Sequence, residues 1–161
     1  MSNILTLSIS ELVSKLKSGD ISSVELCSAY IDRYDKFEKD VKAWAFFDKK
    51  LLLEKATEAD ENRKAGKPLG LLHGLPIGIK DIFGTLDMPT ECGTVIRKKM
   101  TGSQDAEVVN LLKIAGAITM GKTTTTELAY FHPSKTTNPN DYSRTPGGSS
   151  SGSAAAVASY M

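Results

Sequence analysis

The spacing of apolar and polar residues in the first third of the chain predicts three helices. Ser8-Ile-Ser-Glu11 has the spacing of a capping box, in which a serine and a glutamate three residues later bond each other's backbone amides. The same spacing recurs in Ser22-Ser-Val-Glu25. The predicted helices run from the first box to Gly19, from the second box to about Lys39, and from Leu51 to Lys64.

Beyond Leu69 the pattern changes to short apolar segments, separated by frequent glycines. Short apolar strands that alternate with helices are typical of an α/β protein with a buried sheet. The remaining predicted elements are strands at 41–47, 75–79 and 117–120, helices at 104–115, 123–130 and 150–160, and a loop at 133–146.

Composition and charge exclude several functional classes. The 161 residues carry 20 basic and 19 acidic side chains, which gives a net charge of +1. So balanced a charge argues against direct nucleic-acid binding and against a polybasic membrane anchor. No apolar run approaches the ~18 residues of a membrane span, and the N-terminus lacks signal-peptide features. A cytoplasmic protein is predicted, with Cys27 and Cys92 as small buried thiols in a reducing compartment.

One segment matches the phosphate-binding loop expression G-x-x-x-x-G-K-[ST] letter for letter, at Gly116-Ala-Ile-Thr-Met-Gly-Lys-Thr123. A phosphate loop needs flexible residues between its glycines, whereas here those residues form an apolar strand. Extended N–H groups cannot converge on one anion. Nucleotide binding is therefore disfavoured, and Lys122 is predicted to follow the strand.

A second constellation joins Lys80, at the end of an apolar strand, to the glycine- and serine-rich run Gly147–Ser153. Burial disfavours the charged form of a lysine, which lets the amine act as a base, and serines on a glycine-rich turn could be its partners. Alone, a Gly/Ser run is more often a linker, and Ile-Lys-Asp81 more often a strand end in solvent. The small-residue segment Ala154–Ala158 argues instead for a packed helix.

Five blocks in this order resemble the amidase signature family, from Leu69 to the C-terminus, with weaker similarity in the N-terminal helices. The blocks are Leu72-His-Gly-Leu-Pro-Ile-Gly-Ile-Lys-Asp81, Met88-Pro-Thr-Glu-Cys-Gly-Thr94, Asp105-Ala106 with Leu111–Thr123, Asn138-Pro139, and Pro146–Ala158. The resemblance implies an amidase signature fold, with a mixed β-sheet between helical layers. It also accounts for Gly116–Thr123 as part of the family's structure.

The resemblance implies hydrolysis of carboxylic amides by a Ser–cis-Ser–Lys triad. Lys80 matches the family lysine, which acts as a base in its neutral form. Ser149 matches the bridging serine, which follows a cis peptide bond and relays the proton between the nucleophile and the lysine. Ser150 would support this relay by hydrogen bonding, on the turn that Gly147 and Gly148 shape.

Further properties follow from the same resemblance. Tyr130 and Phe131 fall where family members line the acyl pocket, and neither metal nor organic cofactor is implied. Two positions depart from the usual family motifs, because Thr124 replaces an asparagine and Ser151 replaces a glycine. Both changes are small and leave the resemblance intact.

The family nucleophile lies further along the chain, in an Asp-x-Gly-Gly-Ser turn that would fall beyond Met161. We therefore expect residues 1–161 to be the N-terminal portion of a single amidase domain and inactive alone. Residues 1–67 are expected to form a helical N-terminal cap, and residues 68–161 the start of the catalytic α/β core.

Three functions remain open at this point. The first is an amidase acting on a small-molecule amide, alone or as a homo-oligomer. The second is the glutaminase subunit of a tRNA-dependent amidotransferase, which would pass ammonia to partner subunits. The third is a truncated, non-catalytic interaction module.

Overall fold

A computed structural model describes residues 4–161, which form five α-helices and three strands. The helices are α1 (Ile9–Ser18), α2 (Ser23–Val41), α3 (Lys49–Lys64), α4 (Glu107–Ile114) and α5 (Ser151–Ala158). The strands are β1 (Trp44–Phe47), β2 (Pro76–Lys80) and β3 (Ile118–Thr123), and 3₁₀ turns occupy Ile4–Thr6, Val95–Arg97 and Glu127–Ala129.

Both predicted capping boxes are present at the first turns of α1 and α2. In the second box the hydroxyl of Ser22 accepts from the Glu25 amide at 3.0 Å, and the Glu25 carboxylate accepts from the Ser22 amide at 2.7 Å. The Ser22 hydroxyl also donates to the Glu25 carboxylate at 2.9 Å. The bonds from the Ser22 amide and hydroxyl hold the pKa of Glu25 below its ordinary value, because both stabilise the carboxylate. Gly19, with φ of 84°, ends α1 as the sequence predicts.

The three strands form a mixed sheet in the order β1-β3-β2. β1 runs antiparallel to β3, and β2 runs parallel to it. Helices α3 and α5 pack against the sheet, and α2 packs against α3. The α/β class with a mixed sheet is therefore confirmed. β1 comes from residues 1–67 and pairs with β3 from residues 68–161, so the two parts of the chain share one sheet.

Two apolar clusters hold these elements together. The larger joins α2, α3, the sheet and α5, and the smaller joins α1 and the start of α2 to Leu75. Cys27 and Cys92 are both buried and free, as predicted, and burial raises the pKa of Cys27 to about 12. None of the helices within residues 4–161 is long and apolar enough to cross a membrane.

The predicted helix at 123–130 is wrong. Thr123 is the last residue of β3, and the only helical structure described in that range is the 3₁₀ turn Glu127–Ala129. The cause is tertiary, because this backbone bonds distant segments instead of its own next turn. The amide of Thr124 donates to the Ala43 carbonyl at 2.8 Å, and the amide of Thr126 donates to the Ser149 carbonyl at 3.0 Å.

Other predicted elements exist with shifted boundaries. β1 begins at Trp44 rather than at residue 41, because Val41 is fully buried as the last residue of α2. α3 begins at Lys49, because the Asp48 carboxylate caps the amides of Lys50 and Leu51. The remaining elements are β2 at 76–80 instead of 75–79, β3 at 118–123 instead of 117–120, α4 at 107–114 instead of 104–115, and α5 at 151–158 instead of 150–160.

Candidate active site

Lys80 is the last residue of β2, and the sheet fixes its position. In the parallel pairing Lys80 lies opposite Thr123, and the next amide, that of Asp81, donates to the Thr123 carbonyl at 2.9 Å. The half-buried Lys80 side chain donates from Nζ to the Ser149 hydroxyl oxygen at 2.6 Å. The structure thus joins the two residues that the sequence placed in separate motifs.

Ser149 lies on the tight turn before α5, and hydrogen bonds to its carbonyl group hold it there. That carbonyl accepts from the Thr126 amide at 3.0 Å and from the Thr125 hydroxyl at 3.1 Å. Gly147 has φ of 85°, and the Gly148–Ser149 peptide bond is cis. A Cβ atom on Gly148 would lie 2.7 Å from Thr126 Cγ2, so the turn has no room for a side chain there.

The start of α5 is seated directly on the ends of β1 and β3. The amide of Gly152 donates to the Thr124 carbonyl at 2.8 Å. A Cβ atom at Gly152 would meet the Ala43 carbonyl oxygen at 2.2 Å and the Thr124 nitrogen at 2.3 Å. Close backbone contact is thus the reason for glycine here, and it fixes where the turn carrying Ser149 ends and α5 begins.

A cavity of about 450 Å³ opens beside Ser149. Tyr130 and Phe131 form part of its wall, together with Thr126, Ala129, Pro133, Thr145 and the turn 147–149. The two aromatic rings pack edge to face, with their centroids 4.7 Å apart. Both side chains are exposed, Tyr130 to 73% and Phe131 to 85%. The aromatic residues that the resemblance assigned to an acyl pocket therefore border the cavity next to the candidate relay.

Ser150 is exposed, and its hydroxyl forms no hydrogen bond within residues 4–161. It lines a smaller cavity of about 240 Å³ together with Lys80 and Ser153. The neighbouring Ser151 is fully buried, and its hydroxyl lies 2.7 Å from that of Ser134. In the part of the chain described, no three His, Cys, Asp or Glu side chains gather as metal ligands.

The prediction that Lys122 follows the strand is wrong, because Lys122 lies inside β3 and is 0% exposed. Its ammonium lies 3.3 Å from the Asp81 carboxylate, and this carboxylate is also buried. Burial raises the pKa of Asp81 and lowers that of Lys122, while their mutual attraction opposes both shifts. No sequence motif indicated this pair directly, although Lys122 does stand close to an apolar strand.

The surroundings of Lys122 also bear on the phosphate-loop expression. Residues 118–123 are extended in the sheet, as the apolar pattern indicated. The Lys122 ammonium is directed at protein carbonyls and a hydroxyl rather than at an open loop. The backbone here does not form an anion-binding loop.

Comparison with known proteins identifies the family. The sequence model of the Amidase family matches residues 25–161. A glutamyl-tRNA(Gln) amidotransferase subunit from Thermobifida fusca is 39% identical over 166 residues, covering 99% of this chain and 33% of that protein. The corresponding protein from Leptospira interrogans is 41% identical over 167 residues, covering 100% of this chain and 34% of that protein.

A solved structure with the same fold is that of the peptide amidase from Stenotrophomonas maltophilia. It is 31% identical, with a TM-score of 0.87 over 95% of this chain and 34% of that chain. The chain spans about a third of the length of these relatives. Since the family model matches most of its residues, the chain belongs to the amidase signature family.

Proposed function

We propose that this chain supplies the proton relay of an enzyme that hydrolyses carboxylic amides. The observation that carries the proposal is the 2.6 Å hydrogen bond from Lys80 Nζ to Ser149 Oγ. Membership of the amidase signature family supports the same reaction class. Lys80 would be the base, and Ser149 the group through which the proton passes.

The relay works in two directions. As a nucleophilic hydroxyl attacks the amide carbonyl, its proton moves to Ser149 Oγ, and the Ser149 proton moves to the neutral amine of Lys80. When the tetrahedral intermediate collapses, the proton returns through Ser149 to the departing nitrogen, which leaves as ammonia or an amine. Water then cleaves the acyl intermediate by the same transfers.

The attacking hydroxyl in this proposal belongs to a serine outside residues 1–161, since these residues contain no Asp-x-Gly-Gly-Ser turn. The backbone amides of that turn would also stabilise the oxyanion, and this stabilisation is usually a large part of the rate enhancement in acyl transfer. Residues 1–161 alone are accordingly expected to lack activity.

The cavity beside Ser149 is the proposed place for the acyl part of the substrate. Its volume of about 450 Å³ lies within the range of small-molecule sites. Tyr130 and Phe131 would supply apolar surface for that group, and the reacting carbonyl would point toward Ser149. A small-molecule amide is the substrate class that this arrangement favours.

A second candidate is the glutaminase subunit of a tRNA-dependent amidotransferase. The observation favouring it is that the relatives 39% and 41% identical are named as subunits of glutamyl-tRNA(Gln) amidotransferase. In that case the substrate amide would be glutamine, and the ammonia would pass to partner subunits.

The two candidates are separated by the amide that supports ammonia release. The protein expressed from its complete reading frame is assayed with aliphatic amides, aryl amides and glutamine, with and without tRNA(Gln). Simple amides as the best substrates indicate an amidase, and a glutamine rate stimulated by tRNA indicates the amidotransferase. No amide hydrolysis under any of these conditions would contradict the proposed function.

A further inference from the structure

Lys122 is a buried cation whose hydrogen bonds are all satisfied by protein groups. Its Nζ donates to the Phe83 carbonyl at 2.9 Å, the Pro89 carbonyl at 3.0 Å and the Thr90 hydroxyl at 2.6 Å. These three shortest bonds match the three protons of an ammonium, and a longer contact of 3.4 Å reaches the Thr85 hydroxyl. The Asp81 carboxylate at 3.3 Å balances the charge. Together these contacts fix the position of the buried Lys122 ammonium.

These contacts bring together the two ends of the segment that follows Lys80. Phe83 and Pro89-Thr90 lie at the two ends of residues 83–90, and Lys122 holds both ends against β3. The Thr90 hydroxyl also donates to the Phe83 carbonyl at 3.3 Å. The turn at the start of the segment depends on Lys80 itself, because its carbonyl accepts from the Phe83 amide at 3.1 Å.

Both members of the proposed relay are bonded to the end of β3 or to the residues just after it. Lys122 pairs with Ile79 across the sheet, one position before the pairing of Thr123 with Lys80. A few residues later, the amide of Thr126 binds the carbonyl of Ser149. A change in the path of the chain between β2 and residue 90 would therefore act on the turn Lys80–Phe83, at the Lys80 side of the relay, and leave the backbone anchor of Ser149 in place.

We infer that Lys122 is a positioning residue, which sets the reach of Lys80 to Ser149 by holding residues 81–90 against the end of β3. The inference deepens the proposed function and rests on it. Lys122 does not touch Ser149 in this account, and it acts only through the turn that follows Lys80. Misplacing a reacting group by about 1 Å can reduce a rate by roughly 10²-fold.

The ion pair allows positioning to be separated from stability. Lys122→Met or Asp81→Asn alone leaves one buried group without its partner, which is strongly destabilising, whereas changing both removes the unpaired charge. The double variant is therefore expected to regain much of the denaturation midpoint that the single variants lose. Its kcat is expected to stay roughly 10- to 100-fold below wild type, with KM within about threefold, because methionine cannot hold the two carbonyls.

If kcat recovers together with the denaturation midpoint in the double variant, the pair is only structural and the inference is overturned. A second variant guards against failure to fold. Thr90→Val removes one partner of Lys122 without changing any charge, and kcat is expected to fall between about threefold and tenfold. Thr57→Val is the control for this threonine-to-valine change, because the exposed Thr57 hydroxyl on α3 donates to the Leu53 carbonyl of its own helix at 2.8 Å, and it should keep the wild-type kcat.

Hydrogen exchange separates a failure of this inference from a failure of the proposed function. In Thr90→Val the amides of Asp81 and Phe83 are expected to exchange faster than in wild type, while those of α2 are unchanged. Unchanged exchange at Asp81 and Phe83, or a wild-type kcat, would overturn the positioning role. A wild-type protein without amide hydrolysis, but with this exchange pattern, would overturn the proposed reaction alone.

Discussion

Replacing Lys80 with alanine is expected to reduce kcat for amide hydrolysis by about 10²- to 10⁴-fold, the usual contribution of a general base. The physical reason is that Lys80 is the group bonded to Ser149 at 2.6 Å, so its removal leaves the relay without a proton acceptor. Steady-state kinetics on the best amide, in protein expressed from its complete reading frame, provide the measurement.

Lys50→Ala is the matched control for this loss. The Lys50 side chain on α3 is 87% exposed and forms an ion pair with Glu54, and such exposed pairs contribute little. Its kcat is expected to equal that of wild type. A Lys80→Ala enzyme that folds normally and retains more than about a tenth of the wild-type rate would argue against Lys80 as the base.

Gly152→Ala is expected to produce the largest loss of stability among the glycine substitutions near the site. The added Cβ atom would lie 2.2 Å from the Ala43 carbonyl oxygen and 2.3 Å from the Thr124 nitrogen, and both are backbone atoms. Because α5 must then move away from the sheet, we expect a loss of about 1–3 kcal/mol or more in the free energy of unfolding. Chemical denaturation measures this change.

Val157→Ala provides the control within the same helix. Val157 is 77% exposed, and surface substitutions of this kind usually change stability by less than about 0.5 kcal/mol. Because α5 follows the turn that carries Ser149, Gly152→Ala should also lower activity. A Gly152→Ala protein as stable as Val157→Ala would mean that α5 is not seated on β1 and β3 in this way.

Local signals in the sequence were sufficient for most of the fold. Both capping boxes predicted the first turns of α1 and α2, and Gly19 predicted the end of α1, because these signals act between residues three or four positions apart. The run Thr123–Thr126 was misassigned as helix, because its backbone bonds Ala43 and Ser149, which are distant in sequence. Contacts of that kind leave no periodic pattern in the chain.

Part of the candidate site could likewise be predicted from local sequence, and part could not. Lys80 and Ser149 could be named from their motifs, and only the fold could bring their side chains to 2.6 Å. The burial of Lys122 could not be predicted, because the acceptors that make it tolerable are carbonyls of Phe83 and Pro89 in a loop without regular structure. Family resemblance supplied the motifs, whereas tertiary structure supplied their geometry.

The central claim is that Lys80 and Ser149 act as one relay, and a double-mutant cycle tests it most directly. The rates of Lys80→Ala, Ser149→Ala and the double variant are measured on the same amide. Groups that act as a unit lose their function together, so the double variant is expected to retain about the same rate as the slower single variant. Losses that multiply in the double variant would show that the two residues act independently and would contradict the account.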